Sequence, residues 1–300
     1  MEASVCIATF RRPGGLARLL GSLALQQGDV PGFEVLVVDN DAAGSAAATC
    51  EPFRDRLRLR YVVEPAHGIA LARNRAVASS DSRFLAFIDD DNEATPGWLA
   101  SLHRVAEAQE ADAVFGPIVF RFVEEPPAWI RQCGFFEYPA IATGAEVPWY
   151  WTRTSNAYVR RASLPDREAP FDARLALVGG EDVDLFARMV EGGARLVAAA
   201  DAGVYEYRDR PRATARWLVR RSFRNGGTVA HVTWRKVEGF PRLVCAARAL
   251  GASAGSFLQA IGRLGYSRAA ALRHGLKSME SLGKAAWAVG IVYSEYRRRA

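Results

Sequence analysis

The sequence has few residues of the kinds that cross-link a fold or bind soft metals. Its 300 residues include four cysteines and four histidines, and the cysteines form neither a Cys-x-x-Cys pair nor a metal-binding spacing. This scarcity argues against a disulfide framework or a zinc site. The pattern predicts reduced thiols inside a cytoplasmic protein, at positions Cys6, Cys50, Cys133 and Cys245.

Long apolar runs are also missing. No stretch of 18 residues is free of charge or strongly polar side chains, so the sequence predicts no membrane-spanning helix. The first apolar run is not preceded by a basic segment, so we expect no signal peptide. No internal repeat or low-complexity linker is present. With 50% hydrophobic residues, the length fits one large domain or one domain with an appendage.

Lysine is scarce, and charge is distributed unevenly along the chain. Only three of the 39 basic residues are lysine. Residues 1–200 contain 20 basic and 27 acidic residues, whereas residues 201–300 contain 19 basic and six acidic ones. A basic C-terminal third predicts an anionic partner, such as a phosphate group, a membrane surface or nucleic acid.

Strand and helix patterns alternate through the first 120 residues. Apolar runs at 4–10, 33–41, 57–64, 83–88 and 111–120 predict strands. Helices are predicted between them, including 44–53, 67–79 and a helix at 96–109 with Thr95 as N-cap and Pro96 in its first turn. Alternation without hairpin turns predicts an α/β fold with a mostly parallel central sheet flanked by helices. Residues 121–160 are irregular, an Arg-rich helix follows 207, and helices rich in small residues follow 241.

Polar residues stand where the predicted strands end, at the edge where parallel sheets bind ligands. Asp39 ends the second strand, and Asp89, Asp90 and Asp91 follow the fourth. In an extended backbone Asp89 and Asp91 would share one face and Asp90 the other. Such a carboxylate pair suits Mg²⁺ or Mn²⁺. The triplet equally fits an acidic cluster at the start of the following helix, so the motif alone leaves both interpretations open.

A second acidic cluster lies in GGEDVDLFARM, residues 179–189. Glu181, Asp182 and Asp184 open a predicted helix, where acids also serve as ordinary partners of the helix dipole. Gly179 and Gly180 would let the backbone approach a ligand closely. A carboxylate at such a helix start could act as a general base toward a hydroxyl group.

The order of these motifs resembles that of family 2 glycosyltransferases, which are inverting enzymes with the GT-A fold that use nucleotide sugars. The resemblance covers residues 3–225 and is greatest to bacterial exopolysaccharide enzymes of the succinoglycan type. It is carried by SVCIATFRRP, VLVVDND, EPAHGIALARNRA, FLAFIDDDNEATPGWL, SNAYVRR, FDARLALVGGEDVDLFARM and ARWLVRR.

The resemblance implies a role for each matching residue. The nucleotide sugar would contact Thr9, Arg11, Asp39, Arg73, Asp89 and Asp90. A Mg²⁺ or Mn²⁺ ion would bind Asp91 together with Asp89. Asp182 would be the catalytic base, with Glu181 beside it. The acceptor sugar or diphosphate would contact Trp149, Trp151, Arg216, Trp217 and Arg220.

Two positions depart from the family pattern. Processive members carry Gln-x-x-Arg-Trp, but this chain has Ala213 where the glutamine would stand, which favours addition of a single sugar. Many relatives have a histidine metal ligand where this chain has Glu206, which either replaces it or leaves the metal to other ligands. Arg212, Arg216 and Arg220 form a four-residue repeat, which fits a solvated helix face or a diphosphate-binding one.

We therefore expect a catalytic domain at 1–225, with a nucleotide-binding half at about 1–120 and an acceptor half at 121–225. A helical appendage at 226–300 would either pack on that domain or lie on a membrane. The expected reaction moves a sugar from a UDP-sugar, UDP-glucose in particular, to a lipid-linked or oligosaccharide acceptor. Such an enzyme would be cytoplasmic, with peripheral attachment at the inner face of the cell membrane.

Two other functions remain as alternatives. A metal-dependent nucleotidyltransferase shares the α/β crevice, but its Gly-rich phosphate loop is poorly matched by residues 11–15, and it does not account for GGEDVD. A nucleic-acid-binding protein would use the basic C-terminal third. We expect no nucleic acid partner, because the acidic N-terminal part would repel a phosphate backbone.

Overall fold

The computed structural model describes residues 1–294, which form two compact units. Each unit is described here by itself. The first comprises Met1–Val119, Tyr138–Leu177 and Glu181–Glu206, and the second comprises Phe120–Glu137, Val178–Gly180 and the chain from Tyr207 onward.

A seven-stranded sheet forms the centre of the first unit. Its strand order is β3-β2-β1-β4-β8-β6-β9, and every neighbouring pair is parallel except the two pairs that include β8. The mostly parallel α/β sheet is therefore confirmed, although β8 had not been predicted as a strand. The strands are β1 (Ala3–Thr9), β2 (Phe33–Asp39), β3 (Leu59–Val63), β4 (Phe84–Ile88), β6 (Ala113–Phe115), β8 (Asn156–Arg160) and β9 (Leu196–Ala198).

Helices cover both faces of this sheet. They are α1 (Pro13–Leu23), α2 (Ala47–Cys50), α3 (Ile69–Ala78), α4 (Trp98–Ala108) and α6 (Glu181–Glu191). Alternate residues of β1 enter different cores, because successive side chains of a strand point to opposite faces. Val5 and Ile7 pack with the leucines of α1 and with Trp98, whereas Cys6 packs with the apolar residues of α3 and α6.

Three short strands form a second sheet in the order β5-β10-β7. They are β5 (Asn92–Ala94), β7 (Ile118–Phe122) and β10 (Val204–Arg208). The prediction of one strand at 111–120 is therefore wrong, because β6 and β7 belong to different sheets. Gly116 and Pro117 separate them, and a proline cannot donate a backbone hydrogen bond to a sheet.

Two predicted helix boundaries are also wrong. The helix expected at 96–109 begins at Trp98, and the Thr95 hydroxyl donates to the carbonyl of Gly203 at 2.9 Å rather than capping it. The helix expected at 44–53 is only four residues of α2, followed by a 3₁₀ turn at Glu51–Phe53. Pro96 precedes the start of α4, and Pro52 lies in the 3₁₀ turn that follows α2, where a proline interrupts α-helical hydrogen bonding.

The second unit is helical. Its helices are α5 (Ala128–Arg131), α7 (Ala215–Trp234), α8 (Gly239–Arg263) and α9 (Arg268–Ala288). Leu218, Leu276, Ile130 and Cys133 form its small core. A domain boundary at 225 would cut through α7, and the compact unit instead takes in the chain from Tyr207 and residues 120–137. α7 also packs against α9, which belongs to the same unit.

Two sequence predictions concern the cysteines, expected to be reduced thiols, and the expected absence of a membrane-spanning helix. All four cysteines are free thiols, and three of them are buried. Within residues 1–294, α8 is the one helix long and apolar enough to cross a membrane. Length and composition alone do not establish a span, because core helices of soluble proteins meet the same criterion.

The side chain of Asn156 forms hydrogen bonds with three segments that are distant in sequence. Its amide nitrogen donates to the carbonyls of Pro117 at 3.1 Å and Ala202 at 2.8 Å, and its amide oxygen accepts from the indole of Trp98 at 2.8 Å. Asn156 is buried, so water could not replace these hydrogen bonds if the side chain were removed.

We expect Asn156→Ala to lower the free energy of unfolding by about 2–4 kcal/mol, because the Ala202 carbonyl and the Trp98 indole N–H lose their side-chain partner in a buried position. Urea denaturation measures this loss. Gln27→Ala, which shortens an exposed amide side chain, is the matched control and should change stability little. Equal stability of the two variants would contradict the role given to Asn156.

Candidate active site

The aspartate triplet lies in a turn rather than in an extended strand. β4 ends at Ile88, and the backbone N–H of Asn92 donates to the carbonyl of Asp89 at 3.0 Å. The expectation that Asp89 and Asp91 share a face by strand alternation is therefore wrong. The three carboxylates are instead divided between two arginines from different parts of the chain.

Arg73 binds the first of these carboxylates. One of its guanidinium nitrogens donates to Asp89 at 2.8 Å, and the other donates to Glu181. Arg73 and Glu181 are both buried. The adjacent Asn74 exchanges two hydrogen bonds with the backbone of Phe171, at 2.8 and 2.9 Å, which fixes α3 against the segment before α6. A single cation therefore joins the two acidic motifs.

Arg12 binds the other two carboxylates. Its Nη1 lies 2.9 Å from Asp90 and 3.1 Å from Asp91, and the hydroxyl of Thr9 also donates to Asp90 at 2.8 Å. Burial raises the pKa of Asp90 to about 6, although Arg12 opposes this shift. Burial lowers the pKa of Arg12, but Asp90 and Asp91 outweigh it and hold the pKa above its usual value. Sequence reasoning missed Arg12, although it stands next to Arg11 in the same motif.

Gly15 explains how α1 comes so close to the triplet. A side-chain carbon at this position would lie 2.5 Å from the carbonyl oxygen of Asp90, which is closer than van der Waals contact allows. Only glycine therefore permits this approach, which brings the start of α1 and Arg12 to the turn.

Asp39 is buried and orders the loop that follows β2. Its carboxylate accepts hydrogen bonds from the backbone N–H groups of Asp41 at 3.0 Å and Ala46 at 2.7 Å, and from the hydroxyl of Tyr61 at 2.8 Å. Arg11 binds Asp41 through two nitrogens, at 2.6 and 3.3 Å, which lowers the pKa of Asp41 to about 2. Arg11 and Asp39 are thus both linked to the loop that follows β2.

The acids of α6 have different surroundings. Glu181 is buried against Arg73, and Asp184 is buried against Arg188 at 2.8 Å. Asp182 lies between them and is only partly buried, with one carboxylate oxygen accepting from the N–H of Val183 at 2.8 Å. Asp182 is therefore the most accessible of the three acids.

Gly180 has a different role from the one predicted. Its φ angle is +92°, a conformation that favours glycine, and an added side-chain carbon would lie 2.4 Å from the methyl group of Thr228. The close approach at this glycine is thus to a side chain of α7. The sequence could not distinguish this contact from a ligand.

The donor set for a divalent metal is small. Within residues 1–294, no group of three or more His, Cys, Asp or Glu side chains is arranged to hold a metal. Asp91 and Asp89 supply hard oxygen ligands, and Mg²⁺ commonly binds one or two carboxylates with phosphate oxygens and water completing its shell. These residues therefore fit a metal that arrives with a diphosphate. Glu206 is buried and pairs with Asn92 in the β5–β10 ladder, directly after the triplet.

One of the predicted aromatic residues, Trp151, lies at a cleft of the first unit. Trp149–Trp151 forms a 3₁₀ turn, and Trp151 lines a cleft that is partly open to solvent. Tyr138 and Arg153 line the same cleft, with the guanidinium 4.0 Å above the tyrosine ring. The cleft lies at the sheet edge formed by the ends of β6 and β9.

The remaining predicted residues belong to the second unit. Arg216 and Arg220 are exposed on the first turns of α7, whereas Trp217 is partly buried and packs edge-on against Phe135. Arg212 lies in a 3₁₀ turn before the helix, so the predicted stripe of three arginines on one helix face is wrong. The side chain of Thr214, which precedes α7, caps that helix and separates the two segments.

Known proteins resemble the chain in sequence over most of its length. Residues 4–164 match the family model Glycosyl transferase family 2. The succinoglycan biosynthesis protein ExoM of Rhizobium meliloti (strain 1021) is 36% identical over 247 residues, which cover 80% of this chain and 77% of ExoM.

Solved structures resemble the fold at low sequence identity. The mannosyltransferase PcManGT from Pyrobaculum calidifontis, in complex with GDP-Man and Mn²⁺, is 18% identical with a TM-score of 0.64, over 95% of this chain and 87% of that one. S. aureus TarS in complex with UDP-GlcNAc is 17% identical with a TM-score of 0.57, over 98% of this chain and 93% of that one. These similarities confirm the GT-A fold.

We expect Arg73→Met to lower the free energy of unfolding by about 3–5 kcal/mol, because it leaves Glu181 buried without its cation. Urea denaturation measures the change. The matched control is Arg75→Met, which removes an exposed arginine from the same helix and should cost less than about 1 kcal/mol. A similar effect of both substitutions would show that Arg73 is not a buried link.

Proposed function

The chain belongs to glycosyl transferase family 2 and is a glycosyltransferase, and from this premise we propose that it transfers one sugar from a UDP-sugar with inversion. The donor proposed is UDP-glucose. The acceptor is a glycan or a sugar carried on a polyprenyl diphosphate, in the synthesis of an exopolysaccharide or another cell-surface glycan. The succinoglycan biosynthesis protein ExoM, the relative at 36% identity, supports this class of product.

The observation that carries the proposal is the position of Arg73 between Asp89 and Glu181. Asp89 belongs to the motif that follows β4, at the sheet edge where α/β folds bind nucleotides. Glu181 is the residue before Asp182, at the start of α6. The proposed donor-binding carboxylates and the proposed base are therefore held next to one another in a single unit.

Departure of a nucleoside diphosphate requires positive charge close to its phosphates. A Mg²⁺ or Mn²⁺ ion held by Asp91 and Asp89 would neutralise the charge that develops on the diphosphate. Arg12 and Arg73 already lie at these carboxylates and supply further positive charge. Arg11, Asp39 and the loop that Asp39 orders are the proposed contacts of the nucleoside.

Asp182 is the proposed general base. It removes the proton from the acceptor hydroxyl as that oxygen attacks the anomeric carbon from the face opposite the departing diphosphate. One displacement of this kind inverts the anomeric centre. Glu181 cannot share the role while it is buried and paired with Arg73, so we assign it to positioning Asp182 and the acceptor pocket.

Acceptor binding is assigned to two sets of residues. Trp151 and its cleft provide an aromatic surface for a sugar ring, with Trp149 supporting the same turn. Arg216 and Arg220 are exposed cations for a diphosphate, with Trp217 beside them. We propose a cytoplasmic enzyme attached peripherally to the membrane, where a polyprenyl-linked acceptor would be held. Family membership removes the nucleotidyltransferase and nucleic-acid-binding alternatives.

We expect UDP to raise the melting temperature of the full chain more than GDP or dTDP does, and Mn²⁺ to increase that shift. Mn²⁺ alone should have little effect, because Arg12 already neutralises Asp90 and Asp91. A thermal-shift panel of the three nucleotides and their sugars, with and without Mn²⁺, measures this. Asp91→Ala should abolish the contribution of Mn²⁺, whereas the exposed control Asp81→Ala should retain it.

The same panel can contradict the proposal. Stabilisation by GDP or dTDP alone would show that the donor is wrong while the transferase assignment stands. If no nucleotide stabilised the protein in a metal-dependent way, the proposed donor site would be wrong as a whole.

Asp182→Asn should lower the release of UDP from the preferred UDP-sugar by about 10²–10⁴-fold, because water and acceptor attack both need a base. Binding of the nucleotide should be unchanged in the thermal-shift assay. Glu191→Gln, which removes a charge from the exposed end of the same helix, is the matched control. Loss of nucleotide binding in Asp182→Asn would assign Asp182 to donor binding or to the fold instead.

A further inference from the structure

One face of α8 is apolar and exposed along its whole length. Six large side chains on this face are between 50% and 76% exposed: Phe240, Leu243, Leu250, Phe257, Leu258 and Ile261. Of the 21 large hydrophobic side chains that are exposed in residues 1–294, 13 lie between Phe240 and Tyr293. Exposed apolar surface of this extent marks an interaction site on a soluble domain.

The spacing of these residues makes the face continuous. Leu243, Leu250 and Phe257 recur every seven residues, and Ala247 and Ala254 lie between them, which places them within about a third of the helix circumference. From Phe240 to Ile261 the face is about 32 Å long. The neighbouring face, which includes Ser253, is covered by α9 through hydrogen bonds to Ser278 at about 3 Å. The helices of this unit therefore cover the neighbouring face of α8 and leave the apolar face exposed.

The charged residues within α8 are all basic. No acidic residue occurs from 239 to 279, a segment that contains five arginines and one lysine. Arg248 and Arg263 are exposed on the side of α8 away from the apolar face. A helix with an apolar face and a basic opposite side suits the interface of an anionic bilayer, in which the apolar side chains enter the acyl region.

Two other occupants fit the face less well. A membrane-spanning position would place Arg248, which is exposed near the middle of the helix, in hydrocarbon. A second copy of the chain would need flanking charges to set its register, as in coiled coils. On one side, the positions that flank the seven-residue repeat are Val244, Gly251 and Leu258, and none of them carries a charge.

We propose that this face of α8 is the surface that attaches the protein to an anionic membrane, with α8 lying in the plane of the interface. This proposal rests on the proposed function, because attachment to a membrane would bring the enzyme to an acceptor that a polyprenyl diphosphate holds in the bilayer. It names the attachment surface and the lipid charge that the surface requires.

The test is co-sedimentation of the full chain with vesicles of phosphatidylcholine alone or with added phosphatidylglycerol. The wild type should sediment with the anionic vesicles, less with the neutral ones, and less again at high salt. The double substitution Leu250→Asp with Phe257→Asp should lower the bound fraction by about tenfold, because it places two carboxylates in the apolar face. The control Leu25→Asp with Val123→Asp makes the same changes at exposed apolar sites elsewhere and should bind as the wild type does.

Three outcomes would overturn the proposal: no binding of the wild type to anionic vesicles, equal loss in both double variants, or a wild-type dimer that the α8 variant converts to a monomer. The last, measured by light scattering, would assign the face to a second copy. Stabilisation by UDP is measured on the same samples. Its retention in the α8 variant shows that the fold is intact, and its absence from every sample would contradict the donor assignment without affecting vesicle binding.

Discussion

The guanidinium of Arg73 is the interaction on which the proposed site depends. Burying this cation is favourable only when its carboxylate partners stay in place, because Arg73 and Glu181 have both given up their water. Asp89 follows β4 and Glu181 begins α6. These two residues are distant in sequence, and Arg73 on α3 connects them by pairing with both. The hydrogen bonds of Asn74 to Phe171 hold the same helix to the segment before α6. Any movement of α6 would therefore disturb the aspartate turn.

Sequence reasoning predicted the half of the fold that has strong local periodicity. The buried strands β1, β2 and β4 lie in continuous apolar runs of strand length, which the sequence shows directly. The carboxyl ends of parallel strands share an edge, so the meeting of Thr9 with Asp90 followed from topology. The acidic start of α6 was also identified correctly, because its acids precede an amphipathic helix.

The remainder depends on contacts that the sequence does not encode locally. β6 ends within the run predicted as one strand at 111–120, and β8 becomes a strand because β4 and β6 both pair with it. The turn at Asp90 and the partner of Gly180 depend on residues distant in sequence. Arg12 could have been inferred from charge alone, because three adjacent carboxylates behind a buried strand require a nearby cation.

The buried position of Asp39 has a consequence for how such enzymes diverge. Its carboxylate accepts hydrogen bonds from two backbone N–H groups and Tyr61, so the acid is needed for the shape of the loop at 40–46 as well as for its proposed contact with the nucleoside. A lineage could therefore change its nucleotide preference by altering that loop while keeping the acid. Replacing the acid itself would unfold the loop instead of selecting a different base. Retention of this aspartate is thus poor evidence that two relatives use the same donor.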